Sequence, residues 1–146
     1  MAHSEEEKRP ETVIERLCQA TNDHDLEALV DCFDERYVSE MPVHPARDFV
    51  GRDQVRRNWT QIFAAVPDLE SRLVRSMVTA DTAWAEWEWS GTRRDGASHL
   101  MRGVTILGVK DGGAAWARFY MEPVEQGGPD VNGAVREVLG APGGVR

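Results

Sequence analysis

The residues best suited to proton chemistry lie near the end of the chain, in the stretch WARFYMEP at positions 116–123. If this is a strand, its two-residue period puts Trp116, Arg118, Tyr120 and Glu122 on one face and Ala117, Phe119 and Met121 on the other. A carboxyl held in an apolar cavity resists ionisation, so its pKa rises toward the range where general acid–base catalysis works near neutral pH. Glu122 is the candidate for that role, and Tyr120 could donate a hydrogen bond to a carbonyl or a developing oxyanion. Arg118 and Arg102 admit two readings: they bind an anionic group of a substrate, or they neutralise Glu122, which then only orients the strand. His99 and His44 add two proton shuttles suited to neutral pH. His44 lies in a loop between Pro42 and Pro45, and His99 opens a strand where exposed positions are common, so each also has a purely structural reading.

Trp84, Trp87 and Trp89 crowd a single segment. Trp84 shares a face with Glu86, Glu88 and Ser90, an acidic face expected to look outward. Trp87 and Trp89 then look inward, where they would either hold a ring-shaped ligand or simply pack the core.

The elements that must position these residues follow from hydrophobic period. Val13, Leu17, Ala20 and Thr21 recur at three- and four-residue steps, predicting a helix over about 11–22. Asp25 caps a second short helix with Leu26, Leu29, Val30 and Phe33 on one side. A short extended segment runs from Tyr37 to Met41 and ends at Pro42. A third helix starts at Gly51-Arg52-Asp53, shows a Val55, Trp59, Ile62, Phe63 stripe, and stops at Pro67. Candidate strands then cover Arg72–Thr79, Ala83–Ser90, Ser98–Val109 and Ala115–Pro123. The turns between them are tight enough to require antiparallel neighbours. Helices followed by a meander predict an α+β domain with helices packed on one face of a curved antiparallel sheet. Beyond Glu125 the chain is rich in Gly and Pro around one amphipathic turn, with Val131, Val135, Val138 and Leu139 on a common side.

Composition narrows the function classes. The chain has 146 residues, one domain's worth, with 25 acids against 17 bases and a net charge of -8. A nucleic-acid binder normally carries a basic footprint, so that class is set aside. No apolar run is long enough to cross a membrane. The opening MAHSEEEKRP is neither a secretory signal nor a transit peptide, and it is expected to lie outside the fold in a cytoplasmic protein. Cys18 and Cys32 lack zinc-site spacing and read as small buried hydrophobes. There is no phosphate loop, nucleophile elbow or histidine pair at ligand spacing, so no cofactor and no metal are implied.

Several segments taken in order resemble the SnoaL-like branch of the nuclear-transport-factor-two-like superfamily, relatives of polyketide cyclases and ketosteroid isomerase. They are NDHDLEALVDCFDERYV, FVGRDQVRRNWTQIFAAVPDL, DTAWAEWEWSGTRRDG, HLMRGVTILGVKDGGAAW and RFYMEPVE. The resemblance implies a SnoaL-like domain over 11–125, between a tail at 1–10 and a C-terminal tail at 126–146. It also implies a cone-shaped sheet wrapped around the helices, a cystatin-like α+β barrel enclosing an apolar cavity, and a homodimer formed through the sheet's outer face. It places Glu122 where related cyclases carry an acid used for proton transfer. Met41, however, stands where ketosteroid isomerase places its Asp base, and Glu40 points to the other face, so that route is not expected. Trp59, Met41, His44, Trp87, Trp89, Arg102 and Arg118 are the expected ligand-contacting set, and Glu122, Tyr120 and His99 the expected catalytic one. Two functions remain open. One is a cofactor-independent acid–base enzyme on an apolar carbonyl or cyclic compound; the other is a non-catalytic ligand-binding or dimerisation module. The polar side chains facing the cavity discriminate between them.

Overall fold

The computed structural model describes residues 4–140, so Met1–His3 of the expected N-terminal tail and residues 141–146 of the C-terminal one lie outside the described residues. Helix α1 (Pro10–Asn22) begins on a proline, whose missing N–H costs nothing in the first turn. Asp25 caps α2 (Leu26–Val30) by accepting from Ala28 N at 3.0 Å. The expected helical face ended at Phe33, but that residue instead opens β1 (Phe33–Glu40). Asp31 caps the helix, and Cys32 has already left it: its N–H donates to Leu29 O in a turn while its carbonyl accepts from Ala114 N of the neighbouring strand. A 3-10 turn at Pro45–Arg47 and the two-residue β2 (Phe49–Val50) lead into α3 (Arg52–Ala65). Four strands follow, β3 (Glu70–Thr79), β4 (Thr82–Thr92), β5 (Ser98–Lys110) and β6 (Gly113–Pro123), and then α4 (Val131–Leu139), which has no buried residue.

The four long strands form the expected antiparallel meander. Its tight turns use left-handed backbone at Ala80 and at Asp111-Gly112. The sheet as a whole is mixed, in the order β2-β1-β6-β5-β4-β3, because β1 lies parallel to β6. This corrects the expectation of a wholly antiparallel sheet. β1 enters the sheet before the meander is made and takes the free edge of the meander's last strand, so α3 and the three strands β3–β5 act as its crossover. The sheet curves without closing. At the opposite edge, the Asn22 side chain takes over ladder bonds of β3, donating to Ser71 O at 3.0 Å and accepting from Ser71 N at 2.7 Å.

The helices cover the concave face. Val13, Ile14, Leu29, Leu107 and Cys32 are almost fully buried there, and each large aliphatic contributes roughly 1.5–3 kcal/mol by leaving water. Trp87 is buried among them with its indole N–H donating to Thr105 Oγ1 at 2.9 Å, so that polar group is met inside the core. Gly103 allows β5 and β6 to approach at the bend: a Cβ there would sit 2.0 Å from Tyr120 O. Among the described residues no helix is long and apolar enough to cross a membrane.

Candidate functional site

Between α3 and the concave face of the sheet lies a cavity of about 230 Å³. β1 contributes Phe33, Tyr37 and Ser39, with Met41 just beyond its end; α3 contributes Val55, Asn58, Trp59 and Ile62. The sheet supplies Trp89, Met101, Phe119 and Met121, and Phe49 closes one side. Trp59 and Trp89 meet edge to face with centroids 5.7 Å apart, forming an aromatic corner. A smaller void of about 40 Å³ continues behind them, past Trp87 and Thr105. Beside the two indoles, the polar residues of the main wall are Tyr37, Ser39 and Asn58, all neutral.

Tyr37 is 1% exposed and stands edge-on to Phe33 and Phe49. Its hydroxyl is buried with no hydrogen-bond partner that meets bonding geometry among the described residues. Burial pushes its pKa up, an effect the neighbouring Ser39 hydroxyl only partly offsets, so the phenol stays protonated through the physiological range.

The expected acid–base pair is elsewhere. Glu122 and Tyr120 lie on the convex face, with Arg118 and Arg102, while Ala117, Phe119 and Met121 look inward. The reason is one unpaired residue. Next to the turn, Val109 pairs with Ala114, but the following pair is Gly108 with Trp116, leaving Ala115 as a bulge. Without it, the turn's own register would have set Tyr120 against Gly103, on the same face as Trp87 and Trp89. The bulge slips the register by one, so Met121 takes that place and every side chain of the rest of β6 changes sides.

On the convex face these groups are occupied with one another. Glu122 Oε1 meets His44 Nε2 at 2.8 Å, tying the loop after β1 to β6 with both side chains part-exposed. Arg102 pairs with Glu88 at 2.8 Å and Arg72 reaches the same carboxylate at 3.5 Å, which holds the Glu88 pKa below the usual carboxylate range. Arg118 spans Tyr120 Oη and Glu40, each at 3.4 Å, and the bond to Tyr120 is the larger influence keeping its charge. His44, Arg102 and Arg118 therefore do not line the cavity, and Trp87 lies behind it, in the core. Trp59, Trp89 and Met41 do line it. His99 pairs with Gly91 on the parity of Met101 but is not among the residues that line the cavity. Partial burial is the first cause lowering its pKa, and the Arg93 charge adds to this, so its imidazole is neutral at pH 7.

Sequence reasoning missed Tyr37, Ser39, Asn58 and Met101. The inward parity of Phe119 and Met121 was visible as an alternation, but not which alternate set faced in.

A model of the SnoaL-like domain matches residues 14–119, most of the chain. The chain belongs to that family. Among solved structures, this SnoaL-like protein is similar to IdmH, a candidate polyketide cyclase of Streptomyces antibioticus, at 20% identity over 77% of this chain and 91% of that one, with a TM-score of 0.67. A ketosteroid-isomerase-like protein from Catenulispora acidiphila, solved with trimethylamine, gives 13% identity over 92% and 96% of the two chains and a TM-score of 0.66. A candidate ketosteroid isomerase from Kribbella flavida gives 19% identity, coverage of 92% and 87%, and a TM-score of 0.64. At these identities the likeness is one of nuclear-transport-factor-two-like fold, not of activity. No curated protein matches the SnoaL-like chain at a significant level.

Proposed function

We propose that this SnoaL-like protein binds a small, uncharged, largely apolar ring compound in the cavity between α3 and the sheet. The observation that carries this reading is the wall itself: aromatic, aliphatic and thioether side chains with three neutral polar ones and no carboxylate, ammonium or guanidinium. A buried ligand charge would find no counter-ion and would be strongly penalised. Size points the same way. An apolar cavity of ~150 Å³ holds benzene, so about 230 Å³ suits one or two fused rings. Because Trp59 and Trp89 form part of the wall, a seated ligand should change the tryptophan fluorescence saturably. Titration with neutral bicyclic compounds such as indole and tetralin tests this. Absence of saturable binding up to millimolar concentration for the whole set would remove the reading.

Catalysis on such a compound is the second reading, and one observation favours it. His99 is neutral at pH 7 and stands on the concave parity beside Met101, where a proton acceptor could meet a ligand that extends from the cavity. In that reading the base is His99, since Glu122 and Tyr120 stand across the sheet from the cavity.

The homodimer is also ours to propose. The convex face exposes Met77, Trp84, Trp116, Tyr120 and Val38, an apolar surface framed by the Arg72, Glu88 and Arg102 charges. A second copy seated there would account for it. Sedimentation should show a dimer at micromolar concentration and a monomer for Trp84→Glu; a wild-type monomer would remove the proposal.

A further inference from the structure

The cavity and the small void behind it share a wall. Phe33, Trp59, Trp89 and Phe119 line both, so these four side chains partition about 230 Å³ in front from about 40 Å³ behind. Beyond the partition Leu17, Leu29 and Leu107 continue the apolar lining. Phe33, Trp89 and Phe119 are borne by β1, β4 and β6, strands fixed in the sheet by their ladders. Trp59 comes instead from α3, a helix of fourteen residues with Val55 alone buried. It is half-buried, edge-on to Trp89 at 5.7 Å and tilted against Phe63 at 5.5 Å. Protein interiors leave few voids larger than a water, and a ring facing empty space forfeits dispersion contacts on that side. Trp59 faces open space both in front and behind, which is the position of a dividing wall and not of a core filler.

We infer that Trp59 is the specificity-determining residue for ligand length: its indole shuts off the inner chamber and holds the ligand to two fused rings. This rests on the binding reading above and deepens it by naming what sets the limit. The inner chamber cannot take a ring by itself, since benzene occupies an apolar cavity of ~150 Å³. A ligand therefore reaches it as an extension of one already seated in front, and the indole stands in that path. With the indole removed, the leucines behind it offer a third ring the same apolar surroundings as the first two. Leucine at position 59 keeps an apolar side chain of high helix propensity while taking the ring away.

The probes are tetralin, with two fused rings, and dibenzofuran, with three, each measured by calorimetry against wild-type protein, Trp59→Leu and Ile62→Ala. Ile62 lines the front chamber and not the inner one, so its truncation adds space without joining the two. Wild type and Ile62→Ala should both prefer tetralin. Trp59→Leu should gain about tenfold or more in dibenzofuran affinity over wild type, because the third ring then leaves water, and should prefer the larger probe. Should Trp59→Leu fail to fold, Trp59→Phe, with a smaller ring, should show the same change of preference to a lesser degree. Dibenzofuran bound by the wild type as tightly as tetralin would overturn the role of Trp59 and leave the cavity reading standing. An equal gain in Ile62→Ala, or no gain in either Trp59 variant while tetralin still binds, would do the same. Binding of neither probe to the wild type overturns both readings together.

Discussion

The two faces of this sheet are built from the same strands yet have opposite chemistry. The concave face carries Trp87, Trp89, Phe119, Met101 and Met121, with polar groups that are neutral. The convex face carries Arg72, Glu88, Arg102, Glu122 and Arg118, interspersed with Trp84 and Trp116. One side has the space for a ligand and no carboxylate, ammonium or guanidinium on its wall. The other has the acids and bases but no enclosed space, and they are screened by water and by each other. The contrast teaches that residue type alone does not locate a site: a carboxylate near a tyrosine becomes an acid–base pair only on the side from which water is excluded.

The comparison breaks most visibly in the core. Trp87→Ala should destabilise the fold by about 3–5 kcal/mol, as for other truncations of buried aromatics, and chemical denaturation measures it. A loss under about 1 kcal/mol would mean that the concave face packs loosely. On the other side, Glu122→Gln should cost at most about 1 kcal/mol, the worth of a part-exposed pair, and should leave ligand affinity unchanged. A changed affinity would connect the two faces through the loop that His44 anchors.

The smallest effect concerns pH. The His99 pKa is lowered in the folded protein, so as pH falls below the ordinary value of about 6.5 the unfolded chain takes up the proton first. The stability tied to its neutral form is whole above that pH and lost on going down toward the folded pKa. His99→Asn should therefore melt with a flatter pH dependence between about pH 6.5 and 5. Parallel curves for the two proteins would place His99 in ordinary solvent.

Much of this was legible in the sequence. The Asp25 cap, the Gly51 start of α3 and the Ala80 and Asp111-Gly112 turns are short-range signals, and each marks a real boundary. Trp87 and Trp89 could be set inward because their alternates, Glu86 and Glu88, are acidic. β6 gave no such lever. Trp116 and Tyr120 on one side and Phe119 and Met121 on the other are all apolar enough to be core, since the convex face also exposes large apolar side chains among its charges. Its facing depended on the bulge, and Ala115 carries nothing that marks it as unpaired. The parallel pairing of β1 was hidden for a related reason: it joins segments about eighty residues apart by backbone bonds that leave no pattern in the side chains. The burial of Tyr37 depends on Phe33, Phe49 and α3 closing over it, neighbours that no short-range pattern announces.

Ala115 acts as a one-position parity bit for the last strand. Deleting it would carry the register of the turn through β6, setting Tyr120 and Glu122 toward the cavity and Phe119 and Met121 toward solvent, and would make β1 pair anew with the shifted strand. The variant would lose core packing and gain a carboxyl and a phenol in an apolar space, so its melting temperature should drop. In evolutionary terms, the chemistry of the concave face hangs on the presence of one small residue in β6.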